Sequence, residues 1–100
     1  MDFTIKDINE NVLGVARKIG YVISDSQNSR GYEYSLVRKL AGDNYPRFHI
    51  YLKQRGSHFD FSLHLDQKQP SYQGSHAHAG EYDGPVVDQE TERIKQLLIP

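Results

Sequence analysis

The chain has 100 residues, with 12 Lys and Arg against 13 Asp and Glu, for a formal net charge of −1. That length predicts a single domain, residues 1–100, with one modest core, and the near-neutral charge supplies no global pull towards nucleic acid or an anionic membrane. The absence of cysteine excludes disulfides, thiolate metal ligands and a cysteine nucleophile. No apolar run approaches the ~18 residues of a membrane span and Met1-Asp2-Phe3 does not open like a secretory leader, so a soluble cytoplasmic domain is expected.

Ile5, Ile8, Val12, Val15 and Ile19 recur at spacings of three and four, which predicts an amphipathic first helix. Asp7, with Glu10 three residues on, is placed to cap it. Arg17 and Lys18 suit its negative end, and Gly20 its stop. Tyr21-Val22-Ile23 is an optional short strand, the polar stretch 24–30 a loop, and 31–40, rich in Tyr, Leu and Val, a strand. Ala41-Gly42-Asp43-Asn44 has turn chemistry, and Pro46 restricts Tyr45 to extended backbone.

Phe48, Ile50 and Leu52 alternate with His49, Tyr51 and Lys53. Phe59, Phe61, Leu63 and Leu65 alternate with His58, Asp60, Ser62, His64 and Asp66. Both segments are half-buried strands by period, joined through Gln54-Arg55-Gly56-Ser57. A tight turn over Arg55-Gly56 sets Lys53 opposite His58, Tyr51 opposite Asp60 and His49 opposite Ser62. The stretch 67–84 carries neither period and contains Pro70, Gly74, Gly80 and Gly84, the mark of a long functional connection. Pro85 then opens a second helix, acidic early at Asp88, Glu90 and Glu92, with Val87, Ile94, Leu97 and Leu98 as its apolar side. The expected fold is α+β: a two-layer sandwich in α-β-β-β-α order, with both helices on one face of an antiparallel sheet and the other face open and polar.

All five histidines fall between positions 49 and 78. His58, Asp60 and His64 share one strand face, with His58 and Asp60 about 6.5 Å apart along the strand. His49 and Tyr51 join them from the neighbouring strand, and His76 and His78 lie in the long connection, able to fold over that face. Imidazoles with a carboxylate suit a divalent ion, zinc or manganese, with His58, Asp60, His64, His76 and His78 as candidate ligands. His58 and Asp60 are also the candidate catalytic pair, with Tyr51 and Lys53 orienting an anionic phosphoester substrate. The same residue types serve metal-free acid–base chemistry. They equally serve a solvated sheet face, whose polar side or exposed edge binds a protein partner or makes a homodimer. The last helix begins Asp88-Gln89-Glu90, which argues against a double-stranded-RNA-binding surface.

The run His58-Phe59-Asp60-Phe61-Ser62-Leu63-His64-Leu65-Asp66 resembles the H-[YF]-D-[FL]-R-L-E-[LM]-D segment of the phosphoesterase domain of bacterial end-joining DNA ligases. Tyr72-Gln73-Gly74 with Gly80-Glu81-Tyr82-Asp83-Gly84 is similar to that family's later F-E-G…G-E-Y-G-x-G segment. The resemblance implies a small β-barrel that trims 3′-terminal phosphoesters and ribonucleotides with a divalent metal, His58 and Asp60 matching its metal and phosphate ligands. Ser62 stands where the family has an arginine, and Leu52 where it has a histidine. A second likeness joins Gln54-Arg55-Gly56-Ser57-His58 to the x-[KR]-G-S-H turn of HicA-type toxin ribonucleases, which implies an α-β-β-β-α fold with His58 catalytic.

Overall fold

Alternation of apolar and polar residues builds the two longest strands, β4 (Arg47–Arg55) and β5 (His58–Asp66). Phe48, Ile50 and Leu52 of β4 and Phe59, Phe61, Leu63 and Leu65 of β5 are buried on one face, as the period requires. A computed structural model describes residues 1–25, 33–67, 80–81 and 84–99. The remaining elements are β1 (Asp2–Ile5), α1 (Val12–Ile19), β2 (Val22–Asp25), β3 (Glu33–Lys39), β6 (Gly80–Glu81) and α2 (Pro85–Leu98). The fold is α+β, with an antiparallel sheet ordered β1-β5-β4-β3-β2 and β6 added to β5.

The β4–β5 register differs from the expected one by two residues: Arg55 lies opposite His58, Lys53 opposite Asp60, His49 opposite His64 and Arg47 opposite Asp66. The cause is local. Gly56 takes φ +63°, the first loop position where a type II′ turn puts its glycine, so the turn closes over Gly56-Ser57 and Arg55 stays in the strand. A slip by an even number preserves every side chain's face and changes only its neighbours.

The order also departs from α-β-β-β-α at its start. Residues 2–5 form β1, with Phe3 opposite Phe61 and their rings stacked at 4.8 Å. Asp7 sits at φ 60°, outside helical backbone, and Ile8 N–H donates to Ser57 O at 2.9 Å, which ties this segment to the β4–β5 turn. The helix therefore starts at Val12, capped by Asn11, whose Oδ1 accepts from Gly14 N at 2.8 Å. Gly20 ends it at φ 80°, as expected. The optional strand expected at residues 21–23 is present as β2 but runs Val22–Asp25, taking in the first two residues of the expected loop.

Val12, Val15, Ala16 and Ile19 of α1 and Val87, Ile94 and Leu98 of α2 share one core with Leu36, Ile50, Leu52, Phe59, Phe61 and Leu63. Leu97, expected on the apolar side of α2, is exposed. A polar clamp fixes α2. Glu90, 4% exposed, accepts from Tyr21 Oη at 2.6 Å and from Arg93 Nε and Nη2 at 2.7 and 2.9 Å. Arg93 Nη2 also donates to Ile19 O at 2.6 Å, joining α2 to the carbonyl end of α1. Burial, reinforced by the hydrogen bond to Glu90, pushes the Tyr21 phenol far above its ordinary range. Among the described residues no helix is long and apolar enough to cross a membrane.

Candidate metal centre

The sheet face away from the core collects the alternate residues of β3, β4 and β5. The two ladders align Lys39, Arg47 and Asp66 in one row, Val37, His49 and His64 in the next, and Ser35, Tyr51 and Ser62 in a third. Side chains on such a face reach direct and diagonal cross-strand neighbours. His49, at the centre, therefore meets His64 beside it, Asp66 on one diagonal and Ser35 on the other.

Asp66 organises the cluster. Its Oδ2 lies 3.2 Å from His49 Nδ1, its Oδ1 3.0 Å from His64 Nε2, and Arg47 Nε donates to Oδ2 at 3.5 Å. The His49 and His64 rings are 4.8 Å apart, and the Tyr51 ring lies 4.6 Å from the first and 5.7 Å from the second. The side chains of His64, His49 and Asp66 are only 6%, 12% and 16% exposed, so a polar group is sheltered on what the strand period predicts to be a solvated face. Burial by itself would raise the Asp66 carboxyl; the hydrogen bonds from His49 and His64 outweigh it and hold the carboxyl well below the usual carboxylate range. Asp66 is thus placed to accept a ring N–H from each histidine.

One ligand atom from each of His49, His64 and Asp66 lies within 4.8 Å of the others. Two imidazoles and a carboxylate suit zinc or manganese, and three protein ligands leave a coordination position open, as catalytic rather than structural zinc sites do. The donor set therefore fits a divalent ion.

Of the other candidates from the sequence, Tyr51 packs against the cluster and the rest lie elsewhere among the described residues or outside them. His58 opens β5 opposite Arg55, and its Nδ1 is buried without a hydrogen-bond partner among the described residues. Asp60 accepts from Arg55 Nε and Nη2 at 2.7 and 3.0 Å and from Thr4 Oγ1 at 2.7 Å; these contacts, Arg55 foremost, hold its carboxyl below the ordinary range. Lys53, opposite Asp60, borders an open hollow of about 450 Å³ that is also lined by Asp2, Thr4, Glu33, Tyr51 and Asp60. Among the described residues, the triad of His49, His64 and Asp66 includes one of the expected ligands, His64, and omits His58 and Asp60. His76 and His78 lie outside the described residues. The expected ligand set leaves out His49 and Asp66, and the expected register put Ser62, not His64, opposite His49. The signal that finds them is Gly56, whose position in the turn fixes the pairing.

No protein-family model, no curated protein and no solved structure matches this chain.

Proposed function

We propose that this chain is a metal-binding hydrolytic domain in which His49, His64 and Asp66 hold a zinc or manganese ion and the open position serves phosphoester cleavage. The observation that carries this reading is the convergence of two imidazoles and one carboxylate, all within 4.8 Å, in a largely buried setting. The two helices then form one layer against one face of the sheet and leave the other to the ligands; the single core shared by α1, α2 and alternate strand residues supports that layering.

A bound ion would supply Lewis acidity and a water acidified towards neutral pH. The chain's own residues supply the rest. His49 and His64 would hold it through ring-nitrogen lone pairs, and Asp66 would contribute the negative charge. Arg47 stays beside the carboxylate, stacked 4.7 Å from the Tyr45 ring, where its guanidinium can receive an anionic oxygen of the substrate. Phosphoesters are the class implied by the likeness of β5 to the end-joining ligase domain, and Tyr51 and Lys53 extend the same face towards the neighbouring hollow.

The test is zinc titration followed by imidazole NMR. One equivalent of zinc should shift the signals of His49 and His64 together, and Asp66→Ala should weaken binding at least tenfold. Shifts that never saturate, or that leave His49 and His64 unmoved, would defeat the assignment. Hydrolysis of bis(4-nitrophenyl) phosphate by the loaded protein tests the substrate class.

A second, non-catalytic reading rests on the β2 edge, where Val22 is 68% exposed: a partner strand or a second copy adds there. A mass that rises with concentration and falls for Val22→Lys would support it.

A further inference from the structure

His49 uses both ring nitrogens, and they face opposite ways. Nδ1 meets the Asp66 carboxylate at 3.2 Å, while Nε2 meets the hydroxyl of Ser35. The Asp66 carboxylate accepts from Nδ1, and in the tautomer whose single ring proton sits there Nε2 presents a lone pair to Ser35. The Ser35 hydroxyl is then the donor in that bond. Ser24 stands behind it: its Oγ lies 2.9 Å from Ser35 Oγ and 3.0 Å from Ser35 O.

We infer that Ser35, His49 and Asp66 form a hydroxyl–imidazole–carboxylate relay that makes Ser35 a nucleophile towards esters when the site holds no ion. A cross-strand Ser–His contact alone is a common packing arrangement. What distinguishes this one is the carboxylate on the opposite ring nitrogen, itself held by His64 at 3.0 Å and Arg47 at 3.5 Å, so that the imidazole is engaged at both ends by side chains in place. Ser35, His49 and Asp66 are all partly buried. The Tyr51 ring packs on His49 and limits its rotation.

The step balances without an added reactant. Ser35 Oγ bonds to the ester carbonyl carbon as its proton passes to His49 Nε2. The tetrahedral adduct then expels the alcohol, which leaves with that proton. Water repeats the sequence on acyl-Ser35 and releases the acid. The Ser24 hydroxyl, beside the nucleophile, is placed to donate to the developing oxyanion. It is a side-chain donor, not a pair of backbone N–H groups, so the fitting substrates are small activated esters.

This inference goes beyond the metal reading and concerns the ion-free protein, so its test is run in chelator. The intact chain is treated with a fluorophosphonate probe in EDTA and mapped by peptide mass spectrometry; Oγ–P forms, P–F breaks, and fluoride leaves as the proton passes to His49. Ser35 should be labelled selectively, Ser35→Ala should abolish that label, and His49→Ala should slow it at least ~100-fold. Asp66→Asn, a positioning change, should also slow it, and ¹⁵N imidazole NMR should show His49 moving from the Nδ1–H to the Nε2–H tautomer. Label absent from Ser35, spread over Ser24, Ser57 and Ser62, or unaffected by the loss of His49 would overturn the relay. Should His49→Ala fail to fold, the peptide map of the unaltered chain still decides, since it requires no variant. Zinc titration scores the metal reading separately, so the two can fail independently.

Discussion

Replacing Asp66 by Asn keeps the shape of the side chain and removes its charge, which makes it the sharpest perturbation of the cluster. The carboxylate accepts from His64 at 3.0 Å, from His49 at 3.2 Å and, at a longer 3.5 Å, from Arg47. Hydrogen bonds to a charged group contribute about 1.5–3 kcal/mol each, and an amide oxygen can retain one of the two short ones. With the side chain 16% exposed, little of the loss is recovered from water, so Asp66→Asn should cost about 1–3 kcal/mol at pH 7. At roughly 4–8 °C per kcal/mol for a domain of this size, that is a melting point lower by about 5–20 °C. The sign of the pH dependence follows from the depressed Asp66 carboxyl: its contribution is fully present above the ordinary carboxylate range and is lost as the pH falls from there towards the folded-state value. Denaturant unfolding of the wild type and Asp66→Asn at pH 7, 5, 4 and 3 should show a gap that is wide at pH 7 and 5 and closes below about pH 4. A gap that stays constant down to pH 3 would refute the reasoning, because a shape effect does not titrate.

Three further outcomes are expected. His64→Gln should weaken zinc binding at least tenfold, whereas Asp60→Asn, which alters a carboxylate already engaged by Arg55 and Thr4, should leave it unchanged; isothermal titration reads both. Glu90→Ala strands the buried Tyr21 hydroxyl and leaves Arg93 its bond to Ile19 O, and should cost about 2–4 kcal/mol by urea unfolding, somewhat below the roughly 3–5 kcal/mol of a broken buried pair because Arg93 keeps that bond and access to water. Phe59→Ala empties a fully buried position beneath the sheet and should cost about 3–5 kcal/mol in the same assay, with the His49 and His64 NMR signals retained because those rings lie on the opposite face.

The strands β4 and β5 were legible because strict alternation can satisfy only one facing, and α2 because Pro85 and the early acids mark its start. The first strand was not. Phe3 and Ile5 offer just two alternating apolar positions, and Ile5 and Ile8 also fall on the three–four spacing of the helix that follows. Asn11, not Asp7, turns out to cap that helix, and the left-handed backbone at Asp7 is a consequence of docking against the hairpin turn that no local propensity announces. The concentration of histidines marked the sheet face on which the His49, His64 and Asp66 cluster lies. It did not select the members of the cluster, since moving the turn by one position slips the pairing by two residues, keeps every side chain on its face and exchanges one apolar pairing for another. The whole difference between His49 beside Ser62 and His49 beside His64 rests on where Gly56 sits in the turn.

The β3–β4–β5 meander gives the cluster a particular place in the order of assembly. Ser35 and His49 are 14 residues apart and His49 and Asp66 17, whereas Thr4 reaches Asp60 across 56 residues and Tyr21 reaches Glu90 across 69. Short closures are entropically cheaper and pair sooner. Loop-closure entropy therefore favours the consecutive hairpins, which bring the imidazoles and the carboxylate together, over the longer closures that dock β1 and clamp α2. By the same logic, a fluctuation that releases α2 leaves the cluster assembled, and native-state hydrogen exchange should find the amides of β4 and β5 opening with the whole molecule while those of α2 open earlier.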